Sequence, residues 1–186
     1  RNRLMSKPTR LFRQQHNRVV RETKKNKSGI CRPCNARSDT LCCQQMSETR
    51  DFRSYVTNRT FKIYHNLTCK SKLVIYIMEC QKCNLQYVGK SEWNMNIRIN
   101  NHRNDVFKED AISAIKHFST ADHNFNRDAK FTVIEQIKDP SKEKLQLREI
   151  LKNREDFWML KLQTLHPKGL NDQFNFPQKN AGLYAE

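Results

Sequence analysis

Residues 73–80 read LVIYIMEC and residues 85–90 read LQYVGK. The first stretch is a nearly continuous apolar run, rich in β-branched and aromatic side chains, which is the pattern of a strand buried on both faces. It is the longest such run in the chain and far short of the roughly 18 apolar residues that a membrane-spanning helix needs. The few residues between the two stretches, Gln81 to Asn84, leave room only for a tight connection, so the two strands pair as an antiparallel hairpin. Each strand carries a tyrosine, Tyr76 on the first and Tyr87 on the second, and the second strand ends with Gly89 and Lys90. A glycine at a strand end lets another group, such as a phosphate, approach the backbone, or shapes a bulge.

Downstream of the hairpin the period changes. From Asn94 to Arg103, Met95, Ile99 and His102 recur at helical spacing, and Arg98 and His102, four residues apart, share a face. A second helix fits Ala111 to Phe118 and a third strand Phe131 to Ile137. A long helix runs from Ser141 to Leu165, stopped by Pro167-Lys-Gly169. Its apolar stripe comprises Leu147, Leu151, Trp158, Leu162 and Leu165, and Glu155 falls within it. A carboxylate among apolar neighbours must find a partner. A divalent cation is one, since Mg²⁺ uses one or two carboxylates plus waters and phosphate oxygens; a buried Arg or Lys is another. Asn171 follows the helix stop, where an amide can orient a backbone or a substrate. The order of elements predicts an α/β domain with a small, mainly antiparallel three-stranded sheet flanked by helices.

Upstream, residues 59–65 (RTFKIYH) alternate as a short strand. Residues 31–70 form a Cys-rich extension with little periodicity, as expected of a loop-rich module organised by metal. Cys31, Cys34, Cys42 and Cys43 are candidates for one zinc, with Cys69 as a substitute ligand. Residues 1–30 are dense in Lys and Arg and read as a basic arm or linker, helical in part between Thr9 and Val20. Residues 71–175 then form the main domain and 176–186 a tail. The whole chain has 35 basic and 19 acidic residues among 186, a formal net charge of +16. That imbalance points to a polyanionic partner, of which nucleic acid is the commonest, and not to a membrane-embedded protein. No secretory leader is visible, and the start at Arg1 suggests a piece of a longer polypeptide. An odd set of seven cysteines in that setting favours metal binding over a disulfide framework.

These features in order resemble the GIY-YIG endonucleases. Val74-Ile75-Tyr76, a ten-residue gap and Tyr87-Val88-Gly89 resemble the family's paired signature. The helix with Arg98 and His102, the later glutamate Glu155 and the final asparagine Asn171 follow in sequence. The strings ECQKCNLQYVGK, RINNHR and REDFWMLKLQTLHPKGLN resemble more narrowly the endonuclease domains of Penelope-like retroelements. The chain departs from the pattern with Val74 in place of the first glycine, and with Ser91-Glu92-Trp93 after the second motif.

The resemblance implies a DNA endonuclease that hydrolyses a phosphodiester. Glu155 would hold Mg²⁺ or Mn²⁺, and Tyr76 would act as general base, helped towards ionisation by its surroundings. Tyr87 would position water or phosphate, Arg98 would stabilise charge, His102 would move a proton or grip phosphate, and Asn171 would fix the geometry. Gly89, Lys90 and Arg103 would meet the substrate. It also implies a structural zinc on Cys80, Cys83, His117 and His123, whose spacing fits two halves of a tetrahedral site. Partners would be DNA, the element's RNA and a reverse transcriptase on the same polypeptide, in a nuclear setting. The cut would prime target-primed reverse transcription. The alternative is a non-catalytic, zinc-dependent nucleic-acid-binding module.

Overall fold

A computed structural model of the protein describes residues 28–34, 41–139 and 141–175. The expected helix between Thr9 and Val20, residues 1–27 of the basic arm and the 176–186 tail lie outside the described residues. In the Cys-rich extension the elements are β1 (Ile30–Cys31), α1 (Leu41–Gln45), β2 (Asp51–Arg53), β3 (Thr60–Lys62) and β4 (Asn66–Leu67). The main domain follows with β5 (Val74–Cys80), β6 (Gln86–Ser91), α2 (Met95–Asp105), α3 (Ser113–Lys116), α4 (Phe125–Asp128), β7 (Ala129–Gln136) and α5 (Lys144–Leu162).

The central sheet has the order β6-β5-β7, with both neighbours antiparallel to β5. Its register explains the sequence pattern. Tyr76 stands opposite Gly89 on one side and Val133 on the other, whereas Ile75 stands opposite Lys90 and Glu135. Tyr76 meets α2 through Arg98 and His102, while Glu135 and Lys90 meet α5 through Arg154 and Glu155. Helices therefore cover both faces, and the middle strand is apolar on both. α5 is anchored by the buried Arg154–Glu135 pair, two of whose bonds are 2.9 Å long, and by the Trp158 indole donating to Glu135 at 2.6 Å.

Both edges of the sheet are closed, which removes the unpaired edge a short sheet would otherwise expose. Along β6, the Asn171 side chain acts as a strand partner: its Nδ2 donates to the Val88 carbonyl at 2.8 Å and its Oδ1 accepts from the Val88 amide at 2.9 Å. Leu170 donates to the Gln86 carbonyl. Along β7, Ser47 donates to the Phe131 carbonyl and the Val133 amide donates to Cys31 Sγ. The Cys-rich extension thus packs on the edge of β7, and Cys31, Phe52, Ile63 and Leu67 join the same hydrophobic core as Tyr76 and Phe131.

Several boundaries differ from the sequence reading. α5 stops at Leu162 because Gln163 adopts a left-handed cap (φ 56°), three residues before the expected end. The helix expected over 111–118 is a single turn, α3, followed by a 3₁₀ turn at His117–Ser119. The strand expected over 59–65 is confined to β3, which pairs only with the three residues of β2.

Candidate active site

A cavity of about 520 Å³ opens where β6, the start of α2 and α5 converge. β6 supplies Tyr87 and Lys90 to its wall, α2 supplies Arg98, and α5 supplies Glu155. Strand alternation brings Tyr87 and Gly89 towards α2 and turns Lys90 towards α5, so one short edge strand serves both halves of the site.

Behind this wall lies a buried hydrogen-bonded chain. The Tyr76 hydroxyl is 2.6 Å from His102 Nε2 and accepts from Arg98 Nε at 3.1 Å. Burial pushes the Tyr76 phenol above its ordinary value, and the nearby guanidinium of Arg98 offsets this only in part. Tyr87 is raised further, by burial and then by the proximity of Tyr76. His102 is pushed down to about 3, first by burial and then by Arg98. It is therefore neutral at ordinary pH. In the tautomer that carries its proton on Nδ1, His102 Nε2 accepts the Tyr76 hydroxyl proton while the Tyr76 oxygen accepts from Arg98. The expectation of an ionised Tyr76 is thus reversed for the protein alone, because desolvation outweighs the cation. A neutral, buried His102 likewise suits accepting a hydrogen bond and not an ionic grip on phosphate, and the burial and Arg98 charge that keep it neutral also oppose its taking a full proton.

Gly89 has a packing reason. A Cβ built there would lie 2.6 Å from the Tyr76 ring and hydroxyl and 2.6 Å from Tyr87. The missing side chain is filled by the two tyrosines, whose ring centroids are 6.3 Å apart. Arg103, expected at the substrate, is exposed and does not line this cavity.

Glu155 is only 6% exposed. Lys90 Nζ pairs with its Oε2, and Asn175 Nδ2 donates to the same oxygen at 2.6 Å. Lys90, expected to contact substrate, is thus the ion-pair partner of the carboxylate. Both contacts fall on Oε2, so Oε1 is the oxygen available to a cation. Of the cavity's carboxylates, Glu92 pairs with Arg148 and Glu149 with Lys152, which leaves the buried Glu155 to suit Mg²⁺ or Mn²⁺, ions that take few protein ligands and keep several waters.

The two sets of thiols fall differently. Ligand atoms of Cys80, Cys83, His117 and His123 lie within 4.8 Å of one another, with Cys83 Sγ 3.4 Å from His117 Nε2. They come from the end of β5, the hairpin turn, and the 3₁₀ turn and loop after α3, the donor set of a Cys₂His₂ site. Of the cysteines considered for a second site, Cys34, Cys42 and Cys43 gather with Cys69 and without Cys31. Cys31 is fully buried, accepts from the Val133 amide at 3.3 Å and donates towards Met46 Sδ. Burial pushes its thiol up to about 11. Cys69, the expected substitute, therefore stands where Cys31 was expected, because chain spacing does not reveal which loops meet.

Residues 72–168 match the family model described as the GIY-YIG catalytic domain. The chain belongs to the GIY-YIG family. It is accordingly a DNA endonuclease, with the family's α/β fold built on a three-stranded antiparallel sheet. Among solved structures, the catalytic domain of intron endonuclease I-TevI, in a glutamate-to-alanine mutant, is similar at 20% identity and a TM-score of 0.42. The match covers 55% of this chain and 94% of that one. No curated protein matches the chain.

Three features of the GIY-YIG site escaped the sequence reading. Asn175 bridges Glu155 and Asp156 from 20 and 19 residues away, a contact with no local signature. Trp93, 68% exposed, stands at the cavity rim. Glu92 accepts from Arg148 Nε through both oxygens at 2.9 Å, closing the rim between β6 and α5. The departure Ser91-Glu92-Trp93 after the second motif was the signal the sequence offered for Glu92 and Trp93.

Proposed function

We propose that this endonuclease nicks one DNA strand by in-line attack of water, and that the 3′-hydroxyl so released primes reverse transcription by a reverse transcriptase carried on the same polypeptide. The observation that carries the cleavage chemistry is the convergence of Tyr87, Arg98 and Glu155 on one cavity, with Tyr76 and His102 bonded behind it. The Penelope-like strings around Cys80, Arg103 and Glu155 support the retroelement setting. They also support the element's RNA as a partner, a nuclear site of action, and the division into a basic arm (1–30), a Cys-rich extension (31–70), the endonuclease domain (71–175) and a tail (176–186).

Glu155 Oε1 would hold the divalent ion, which when bound supplies Lewis-acid stabilisation of charge on the phosphate and the leaving oxygen. Arg98 turns from the Tyr76 hydroxyl to the phosphate, where such an electrostatic contact is worth roughly 3–4 kcal/mol. That turn frees a lone pair on Tyr76. Its oxygen then accepts a proton from the attacking water while its own proton passes to His102 Nε2, which becomes a stronger base as Arg98 turns away and the negative charge of the phosphate arrives, so no free phenolate is required. Tyr87, on the cavity wall, orients the water or the phosphate. Asn171 holds the backbone of β6 and with it Tyr87.

Cys80, Cys83, His117 and His123 would bind a structural zinc that ties the hairpin turn to the loop after α3. The test of the overall reading is to incubate the full chain with supercoiled plasmid and Mg²⁺, then offer the nicked product to a reverse transcriptase with RNA template. Nicks whose ends are extended support the reading. Nicks ending in 3′-phosphate would rule out the priming role.

A further inference from the structure

The helix that carries Arg98 and His102 begins without a side-chain cap: Asn94 makes no capping hydrogen bond. The first amides of a helix have no partner within it and must be satisfied from elsewhere. Here the Met95 amide donates to the Ser71 carbonyl at 3.0 Å and the Asn96 amide donates to the Cys69 carbonyl at 2.8 Å. The short turn 68–71, closed by Ser71 N to Thr68 O, therefore sets where this catalytic helix starts. The side chain of Cys69 faces the other way, into a group of sulfurs.

That group is Cys34, Cys42, Cys43 and Cys69, whose sulfurs all lie within 4.8 Å of one another. Cys34 Sγ is 3.5 Å from Cys43 Sγ, and Cys42 Sγ is 4.0 Å from Cys43 Sγ. A disulfide requires about 2.05 Å between sulfurs, whereas a tetrahedron of thiolates about 2.3 Å from one zinc places them about 3.8 Å apart. The observed separations bracket the second value. The sulfurs come from three segments remote in sequence, and Cys34 and Cys69 sit in loops, so local helix geometry does not account for their convergence.

We infer that Cys34, Cys42, Cys43 and Cys69 bind one structural zinc ion that clips the Cys-rich extension to the start of the helix carrying Arg98 and His102. Binding releases the thiol protons and forms four zinc–sulfur bonds, with no redox change. The ion rigidifies the turn 68–71, and the two carbonyls of that turn hold the helix N-terminus. The metal site stands independently of the nuclease reading; only its consequence for Arg98 and His102 rests on that reading.

The test uses the full chain purified without chelator. Elemental analysis and zinc-edge X-ray absorption should find zinc with more sulfur than nitrogen ligands on average, because a Cys₄ site adds sulfur to whatever a Cys₂His₂ site contributes. Zinc with equal sulfur and nitrogen, no zinc, or an iron-loaded protein would overturn the inference. Cys43→Ser should lose one zinc per chain, and Cys43→His, which keeps a ligand, should retain it. Hydrogen exchange at the Met95 and Asn96 amides should accelerate about tenfold or more in Cys43→Ser, and stay slow in Cys83→Ser, whose zinc is elsewhere. Unchanged exchange in Cys43→Ser would overturn the clip. If Cys43→Ser fails to fold, the absorption spectrum of the wild-type chain still decides the ligand set. Plasmid nicking measured alongside separates the two readings, since a Cys₄ zinc in a protein that cuts no DNA removes the nuclease mechanism and leaves the metal site standing.

Discussion

The Tyr76 hydroxyl and His102 Nε2, 2.6 Å apart in a site closed to solvent, form a tyrosine–imidazole pair in which the histidine is held neutral. The pair has a consequence for stability. His102 ionises near 6.5 when unfolded and is pushed down to about 3 in the folded protein. A depressed value means that the unfolded chain takes up the proton first. Stability is therefore intact above about pH 6.5 and falls as the pH drops towards 3, by up to ~1.4 kcal/mol per unit. His102→Gln should flatten that loss between pH 6.5 and 4, measured by urea unfolding. Asp128, held down near 2 mainly by its hydrogen bond from Arg127, loses its contribution only below about pH 4 and should behave alike in both proteins. Parallel pH profiles for wild type and His102→Gln would remove His102 as the acid-sensitive group.

Tyr76→Phe and Tyr87→Phe each delete one hydroxyl and keep the ring. If Tyr76 relays a proton to His102, Tyr76→Phe should slow nicking by about 100-fold or more, in the range of general-base catalysis, with the fold retained by circular dichroism. Tyr87→Phe should weaken the rate less. Arg98→Lys should also be slow, because an ammonium cannot replace the planar fork that reaches both Tyr76 and the cavity. Wild-type rates in both Phe variants would return the tyrosines to a packing role.

Gly89→Ala places a methyl group against Tyr76 and Tyr87. Overpacking of this kind costs about 1–3 kcal/mol, and the displaced ring should break the bond to His102. Asn171→Ala removes both bonds to Val88 and leaves a buried amide and carbonyl unpaired, which costs about 1–3 kcal/mol per group. Both should lower Tm and nicking together, whereas Arg103→Ala, exposed and outside the cavity, should change Tm little.

The main sheet was legible because β5 is covered on both faces and so reads as an unbroken apolar run, and α2 and α5 announced themselves by helical spacing. The extension was not. β1 to β4 are two or three residues long, too short for any period, and form because loops meet on the edge of β7. The site residues divide in the same way. Arg98, His102 and Glu155 sit on periodic helices, where spacing assigns a face. Lys90 as partner of Glu155, Asn175 beside it, and the choice between Cys31 and its substitute Cys69 depend on contacts between distant segments, which spacing does not encode.

Zinc on the Cys80, Cys83, His117 and His123 set should be structural, because it would close a loop between the hairpin turn and the segment after α3. Cys83→Ser and His123→Ala should each lose one zinc per chain and lower Tm, while Mg²⁺ should have little effect on Tm in the absence of DNA. Metal content and a thermal melt measured on the same samples check this. Full zinc retention in both variants would mean that these four side chains hold no metal.

In the proposed mechanism Glu155 serves cleavage through a divalent cation and is not a structural carboxylate neutralised by Lys90. Relaxation of supercoiled plasmid by Glu155→Ala, in Mg²⁺ and beside a gel-shift titration, addresses it most directly. Glu155→Ala should give no detectable nicking, with DNA affinity close to that of the parent chain. Nicking by Glu155→Ala at a rate near wild type, with Mg²⁺ still required, would contradict it.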